Sequence, residues 1–522
     1  MKANISITKK LSSYVIVRII FMSWVGFCLI YFYRPLRELD FFWRILIGKA
    51  YVENPGISEY GLHTWSVVDV NPEWKTTQPL GEILLYLIYK VGGLELISLT
   101  MLAIWLLIVI QIYRRLLKYI QRDSILDGTN NSILLILSML AIFLLIPFIQ
   151  ERPQTFVLLI FALISHRLIS DLGTVSRGSS ITTLSMIAFA VHIHPAWIVL
   201  YSSFAATLMF TILKYVFRKA ERHFIRQLVR EKWVPIIFMV GIPVLVILGP
   251  ARGAYFERLI AISEAGFKNI SEWQPLSDTG KSDVLIGGYM CFAILICHLT
   301  WKIKNSFREK VLWSCIMVVL LLPPFVSARF VPFSILLTIA FISVWIEPHK
   351  NIKQKFTNKR ASIVGIQALK NNPLSAFEFL PFIFLISALL LSAYDSTGAT
   401  KDFYKSAPIE LIRTMKSDSK IFVINGPNEG GFIHFFGDGN LIPFIDGRAD
   451  RYRPSAINDL DFILKSEQES GTLLNSQKFE RATELLVAKS LNFEPARATG
   501  FRLVCEDKNF LRFSRESAPS CG

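Results

Sequence analysis

Charge is scarce in this sequence. Only 18% of its 522 residues are Asp, Glu, Lys or Arg, while 52% are hydrophobic; a soluble domain carries about 25% charge. The shortage falls in runs of about 17–22 residues with few or no charges, each long enough to cross a hydrocarbon core. An ordinary soluble protein is thereby excluded. Several catalytic signatures are missing as well. There is no Gly-rich phosphate loop, no nucleophile elbow, no HExxH helix, no internal repeat and no low-complexity segment. Of the six cysteines, none has metal-ligand spacing. Cys28, Cys291, Cys297 and Cys315 lie inside apolar runs, where cysteine acts as a small core residue. Cys505 and Cys521 share the last segment: a disulfide if that segment is extracytoplasmic, two free thiols otherwise.

What is there is a polytopic pattern. The net charge of +16 sits in short loops between apolar runs, as membrane orientation requires. No basic fold with base-stacking aromatics is visible, which excludes a nucleic-acid module. Lys2, Lys9 and Lys10 precede a first run ending near Tyr33. That run is too long for a signal peptide and no small-residue cleavage site follows it, so it reads as an uncleaved span with a cytoplasmic N-terminus. The first outer loop then covers 34–93. Its last part, Pro79 to Val91, is short for a span and ends at Gly92-Gly93, so it reads as an interfacial helix. The span Leu94 to Ile112 then returns Arg114, Arg115, Lys118 and Arg122 to the cytoplasm, in keeping with the positive-inside tendency. Further spans fall near 132–149, 153–170, 180–193, 196–214, 233–249, 284–300, 311–326, 330–345 and 377–394. The expected architecture is a polytopic α-helical membrane protein of about eleven spans over residues 1–394. Residues 395–522 form a small extracytoplasmic α/β domain. In it, Lys420 to Asn425 reads as a strand, Gly426 to Gly431 as a turn, and Leu441 to Ile445 as a second strand ending at Asp446-Gly447-Arg448. Strand-like runs follow at Ala482 to Ala488 and Gly500 to Arg515.

This topology gathers the polar clusters on the outer face. Asp40 stands at an interface beside Phe41, Phe42 and Trp43, where a carboxylate partly withdrawn from water suits a general base. The plain alternative is a solvated residue flanking a span. Arg152 and Arg329 each lie where two spans meet at the outer face, against the positive-inside tendency. A guanidinium stays charged and binds two phosphate oxygens at once; snorkelling to lipid headgroups is the alternative. His192 and His194 have poor spacing for a metal, and hydrogen bonding to substrate or helix-end capping fits them better. Glu272-Trp273 pairs a carboxylate with an aromatic plate, the elements that hold a sugar ring.

Taken in order, these motifs resemble bacterial multi-span proteins of the GT-C glycosyltransferase superfamily, in particular a group with a soluble C-terminal domain. The resemblance rests on Leu39-Asp40-Phe41-Phe42-Trp43 with Gly48, and on Trp74 with Gln78-Pro79-Leu80, Leu85-Tyr86 and Gly92-Gly93. It continues through Arg152-Pro153-Gln154, His194 with Trp197, Glu272-Trp273 and Arg329. Asn425 with Gly430-Gly431, and Asp446-Gly447-Arg448 with Tyr452, complete it. It implies a GT-C-like fold and transfer of a sugar from a polyprenyl-phosphate donor to an envelope glycan, lipid or protein. Asp40 would be the catalytic base, Arg152 and Arg329 the donor-phosphate ligands. Gln154, His194, Glu272, Trp273, Asp446 and Arg448 would face substrate. The chain departs from the superfamily pattern in two places: Phe41 follows Asp40 where many members have a second acid, and Gly249-Pro250 stands where Asn-Pro is usual. Some members use a divalent cation, but a lone aspartate supplies no ligand set, so no metal or other cofactor is expected. The implied location is a bacterial inner membrane with the C-terminal domain periplasmic. Competing readings are a transporter or flippase for lipid-linked sugars, and a non-catalytic envelope assembly factor. Transport predicts polar groups at span centres, where this chain has almost none.

Overall fold

The computed structural model describes residues 19–29, 40–54, 64, 76–122, 128–170, 177–205, 240–244, 246, 283–303, 315–345, 407–415, 418–437, 439–448, 459–460, 463, 473–491 and 499–515. Helices dominate up to residue 345, and a small sheet lies near the C-terminus. The helices that position the site are α1 (Ile19–Leu29), α2 (Phe41–Glu53), α3 (Pro79–Arg122), α4 (Gly128–Leu145), α5 (Pro153–Ser170), α6 (Arg177–Val191), α7 (Asp283–Ile303) and α8 (Val331–Trp345). Two of them begin at a proline, whose fixed φ suits the first helical turn and whose missing N–H costs nothing there.

α3 packs on α2, α4 and α5, and α5 in turn packs on α6 and α8. The expected boundary between an interfacial helix and a span lies inside α3, at Gly92 and Gly93. Gly93 has φ +65°, a left-handed conformation that breaks the helix between Val91 and Leu94. The close approach of α2 to α3 depends on Gly48. A Cβ there would stand 2.6 Å from the Glu82 carbonyl carbon and 2.9 Å from Tyr86 Cβ.

Among the described residues one helix, Pro79–Arg115, is long and apolar enough to cross a membrane; seven shorter apolar helices accompany it. Large apolar side chains turned outward are concentrated on these helices, for example Phe189 at 50%, Ile294 at 63% and Val319 at 66% exposed. Among the described residues of the C-terminal part, Leu491 and Leu503 are such residues.

The C-terminal unit holds α9 (Ile409–Thr414), α10 (Pro427–Phe436) and strands β1 (Ile421–Asn425), β2 (Leu441–Pro443), β3 (Glu484–Ala488), β4 (Arg502–Glu506) and β5 (Phe510–Ser514). The strand order is β2-β1-β3-β5-β4. β1 runs parallel to β2 and β3, whereas β5 is antiparallel to both β3 and β4. Residues 426–431, expected to be a turn, instead open α10. Gly426 caps the helix and Pro427 occupies its first turn, so the Pro/Gly cluster marks a helix start rather than a reversal. Cys505 is disulfide-bonded, which rules out the free-thiol alternative for it; Cys521, its candidate partner, lies outside the described residues.

Candidate active site

The site is built where α2 begins. Asp40 stands immediately before Phe41 with helical φ and ψ, and its side chain makes no capping bond. One helical turn later comes Arg44, which the sequence reading did not single out. Its guanidinium lies over the Trp43 ring at 4.3 Å from the centroid, and its Nη1 is 3.9 Å from Glu82 Oε1. Glu82, in the first turn of α3, is fully buried and accepts from Gln78 Nε2 at 3.3 Å. The Gln78-Pro79 motif thus supports the floor on which Arg44 rests. The signal in the sequence was spacing: Asp40 and Arg44 share a helix face in an otherwise apolar stretch, and Glu82 interrupts the apolar face of α3.

Arg152 reaches Asp40 from the other side, with Nη2 3.8 Å from Oδ2. The two side chains are 14% and 19% exposed, so the pair is largely withdrawn from water. The backbone that presents Arg152 is fixed by Thr155, whose hydroxyl donates to the Gln150 carbonyl at 2.6 Å and accepts from the Gln150 N–H at 3.2 Å. Gln154 is buried in the same turn.

The turn after α6 brings in His194. The Leu80 N–H donates to the His192 carbonyl at 2.9 Å, tying this turn to the start of α3. His194 Nδ1 accepts the Ala196 N–H at 3.0 Å, which assigns the ring proton of a neutral imidazole to Nε2. Burial pushes the His194 pKa well below the ordinary histidine value, and the positive charges of Arg44, Arg329 and Arg152 push it the same way. His194 is therefore neutral at pH 7 and sits in the combined field of three guanidinium groups. Arg329 itself is half-buried in the short 3-10 turn Ala328–Phe330 that leads into α8.

The C-terminal unit closes this cluster. Asp446 and Arg448 are both buried and engage each other. Arg448 Nε donates to the two Asp446 carboxylate oxygens at 2.9 Å each, its backbone N–H donates to Oδ1 at 3.0 Å, and its Nη2 contacts Oδ2. His434 Nε2 lies 3.3 Å from the same Oδ2. Burial raises the proton affinity of Asp446, but Arg448 and His434 outweigh it and hold the carboxyl well below the usual range. The pair turns inward and presents Gly447 to Asp40 and Trp43.

Asp40, Arg152, Arg329 and His194 are thus brought together from four separate segments. Glu272 and Trp273 lie outside the described residues. Among the described residues no group of three or more His, Cys, Asp or Glu side chains could hold a metal ion. Chemically, the arrangement offers one carboxylate able to take a proton, with cations beside it for an anion.

No protein-family model and no curated protein matches the sequence. Solved structures similar to the chain include ArnT from Cupriavidus metallidurans bound to undecaprenyl phosphate. It shares 12% identity and a TM-score of 0.42, over 99% of both chains. Another is the oligosaccharyltransferase AglB from Archaeoglobus fulgidus in complex with an inhibitory peptide and a dolichol-phosphate. That match has 12% identity and a TM-score of 0.39, over 92% of this chain and 70% of that one. Similarity of this degree leaves function to be argued from the site itself.

Proposed function

We propose that the protein is a membrane glycosyltransferase that moves a sugar from a polyprenyl-phosphate donor to an envelope acceptor at the outer face. The observation that carries this reading is the ion pair of Asp40 with Arg152, whose guanidinium acts together with those of Arg44 and Arg329 on the neighbouring neutral His194. In the reaction, the acceptor hydroxyl oxygen bonds to the anomeric carbon of the sugar, and its proton passes to the Asp40 carboxylate. The bond from the anomeric carbon to the phosphate oxygen breaks, and the electron pair leaves with polyprenyl phosphate. Arg152, Arg329 and Arg44 stabilise that developing charge in a site with little water. Gln154 and His194 face the sugar, as do Glu272 and Trp273 of the outer loop.

In this reading the apolar helices complete a bundle of about eleven spans in a bacterial inner membrane. The N-terminus is cytoplasmic and the C-terminal domain periplasmic. The Cys505 disulfide supports that placement, because disulfides persist in oxidising compartments. The test is complementation of a strain lacking the gene by wild type or Asp40→Asn, with insertion checked separately and lipid-linked sugars profiled. The proposal expects wild type to restore an envelope glycan and Asp40→Asn to insert normally yet accumulate donor. Full restoration by Asp40→Asn would remove Asp40 as the base and favour a transporter or an assembly factor.

A further inference from the structure

The structure assigns the Asp446-Gly447-Arg448 turn a role of its own: Gly447 is a positioning residue that seats the Asp40 carboxylate. The inference rests on the proposed role of Asp40 and adds to it a contribution from the C-terminal domain. A Cβ on Gly447 would overlap Asp40 Oδ1, and would lie 2.6 Å from Asp40 Cγ and 2.9 Å from Trp43 Nε1. The φ of Gly447 is outside the left-handed region, so its backbone would accept any residue; the space would not. One oxygen of Asp40 is therefore covered by the turn, while the other faces Arg152. Between them they restrict rotation of the carboxylate and fix where a proton can be received.

Two further observations make the turn a rigid support. Internally, it is held by the buried Asp446–Arg448 pair, and also by Asn425. The Asn425 amide donates to the Ile445 carbonyl at 2.8 Å, and its side-chain oxygen accepts the Phe444 N–H at 2.8 Å. Gly430 of α10 lets that helix approach to where a Cβ would be 2.7 Å from Asp446 Cα. Externally, the unit carrying the turn is anchored by aromatic packing. Phe432, Phe435 and Phe436 lie 4.8, 5.0 and 5.5 Å from the Phe42 ring, and Tyr89 lies 5.5 Å from Phe435. One hydrophobic core runs from the helices into Val423, Phe432, Leu441 and Leu486. A swinging lid would expose this interface on every cycle, so a fixed seat accounts for it better.

The test is a double-mutant cycle on the purified full-length chain, read by melting temperature and by transfer kinetics. Gly447→Ala should lower the melting temperature. In an Asp40→Ala background, where the opposing carboxylate is gone, the same change should cost much less. For transfer, Gly447→Ala should reduce turnover at least tenfold with the KM for donor near wild type. Arg448→Lys, which loosens the support without adding volume, should also reduce turnover, and it serves if Gly447→Ala does not fold. Equal thermal loss in both backgrounds, or wild-type turnover in either variant, would overturn the inference. If wild type itself shows no transfer, the glycosyltransferase reading falls while the thermal cycle still decides whether Gly447 seats Asp40.

Discussion

At the scale of single residues, the site is an exercise in charge placement. Arg44 and Arg152 each stand beside one carboxylate, Glu82 and Asp40 respectively, and His194 stays neutral among the guanidinium groups. Glu429 is a separate case in the first turn of α10. Burial pushes its carboxyl up to about 7, partly offset by backbone hydrogen bonds from Glu429 itself and Gly426. Its folded value lies above the ordinary 4.5, so the stability it contributes is present at low pH and lost as pH rises through about 7. Glu429→Gln should therefore change the melting temperature little at a pH below the ordinary 4.5 and raise it at pH 8. A difference independent of pH would show that Glu429 ionises freely in the folded protein. Asp446→Asn is expected to be severe. Breaking a buried pair from one side costs about 3–5 kcal/mol, and chemical denaturation of the purified chain would measure it.

At the scale of elements, Gly48 sets how closely α2 and α3 meet, and Gly93 sets where a helix breaks. Gly48→Ala would force α2 away from the α3 backbone at Glu82, and overpacking of this kind costs about 1–3 kcal/mol. Urea unfolding should show that loss, together with weaker donor binding, because Arg44 rests on Glu82. Much at this scale was legible in the sequence. Gly92-Gly93 marked the break in α3, and the ends of the apolar runs placed Asp40, Arg152 and His194 on one face. Three things were not legible. Arg44 lies within an apolar helix, and its significance depends on Glu82, which only tertiary packing brings near. Asp446 and Arg448 read as substrate-facing residues of a turn, because a two-residue separation gives no sign of a buried pair. Pro427 read as part of a turn because Pro and Gly cluster at helix starts as they do at reversals.

At the scale of the whole molecule, the helical and α/β parts act as one unit, since the carboxylate of one is seated by a turn of the other. That arrangement puts the C-terminal part on the same side as Asp40, which is the outer face in the proposed topology. Cys505 is buried, so in the unfolded chain it should take up a maleimide only after reduction; labelling without reductant would contradict the disulfide. The central claim is that Asp40 takes a proton in a transfer from lipid-linked sugar. It is tested most directly by release of polyprenyl phosphate from a polyprenyl-phosphate sugar in the presence of acceptor, using purified wild type and Asp40→Asn matched for donor binding. The account predicts that both bind donor equally and that Asp40→Asn loses at least about a hundredfold in turnover, within the range general-base catalysis supplies. Release by Asp40→Asn at the wild-type rate would contradict it.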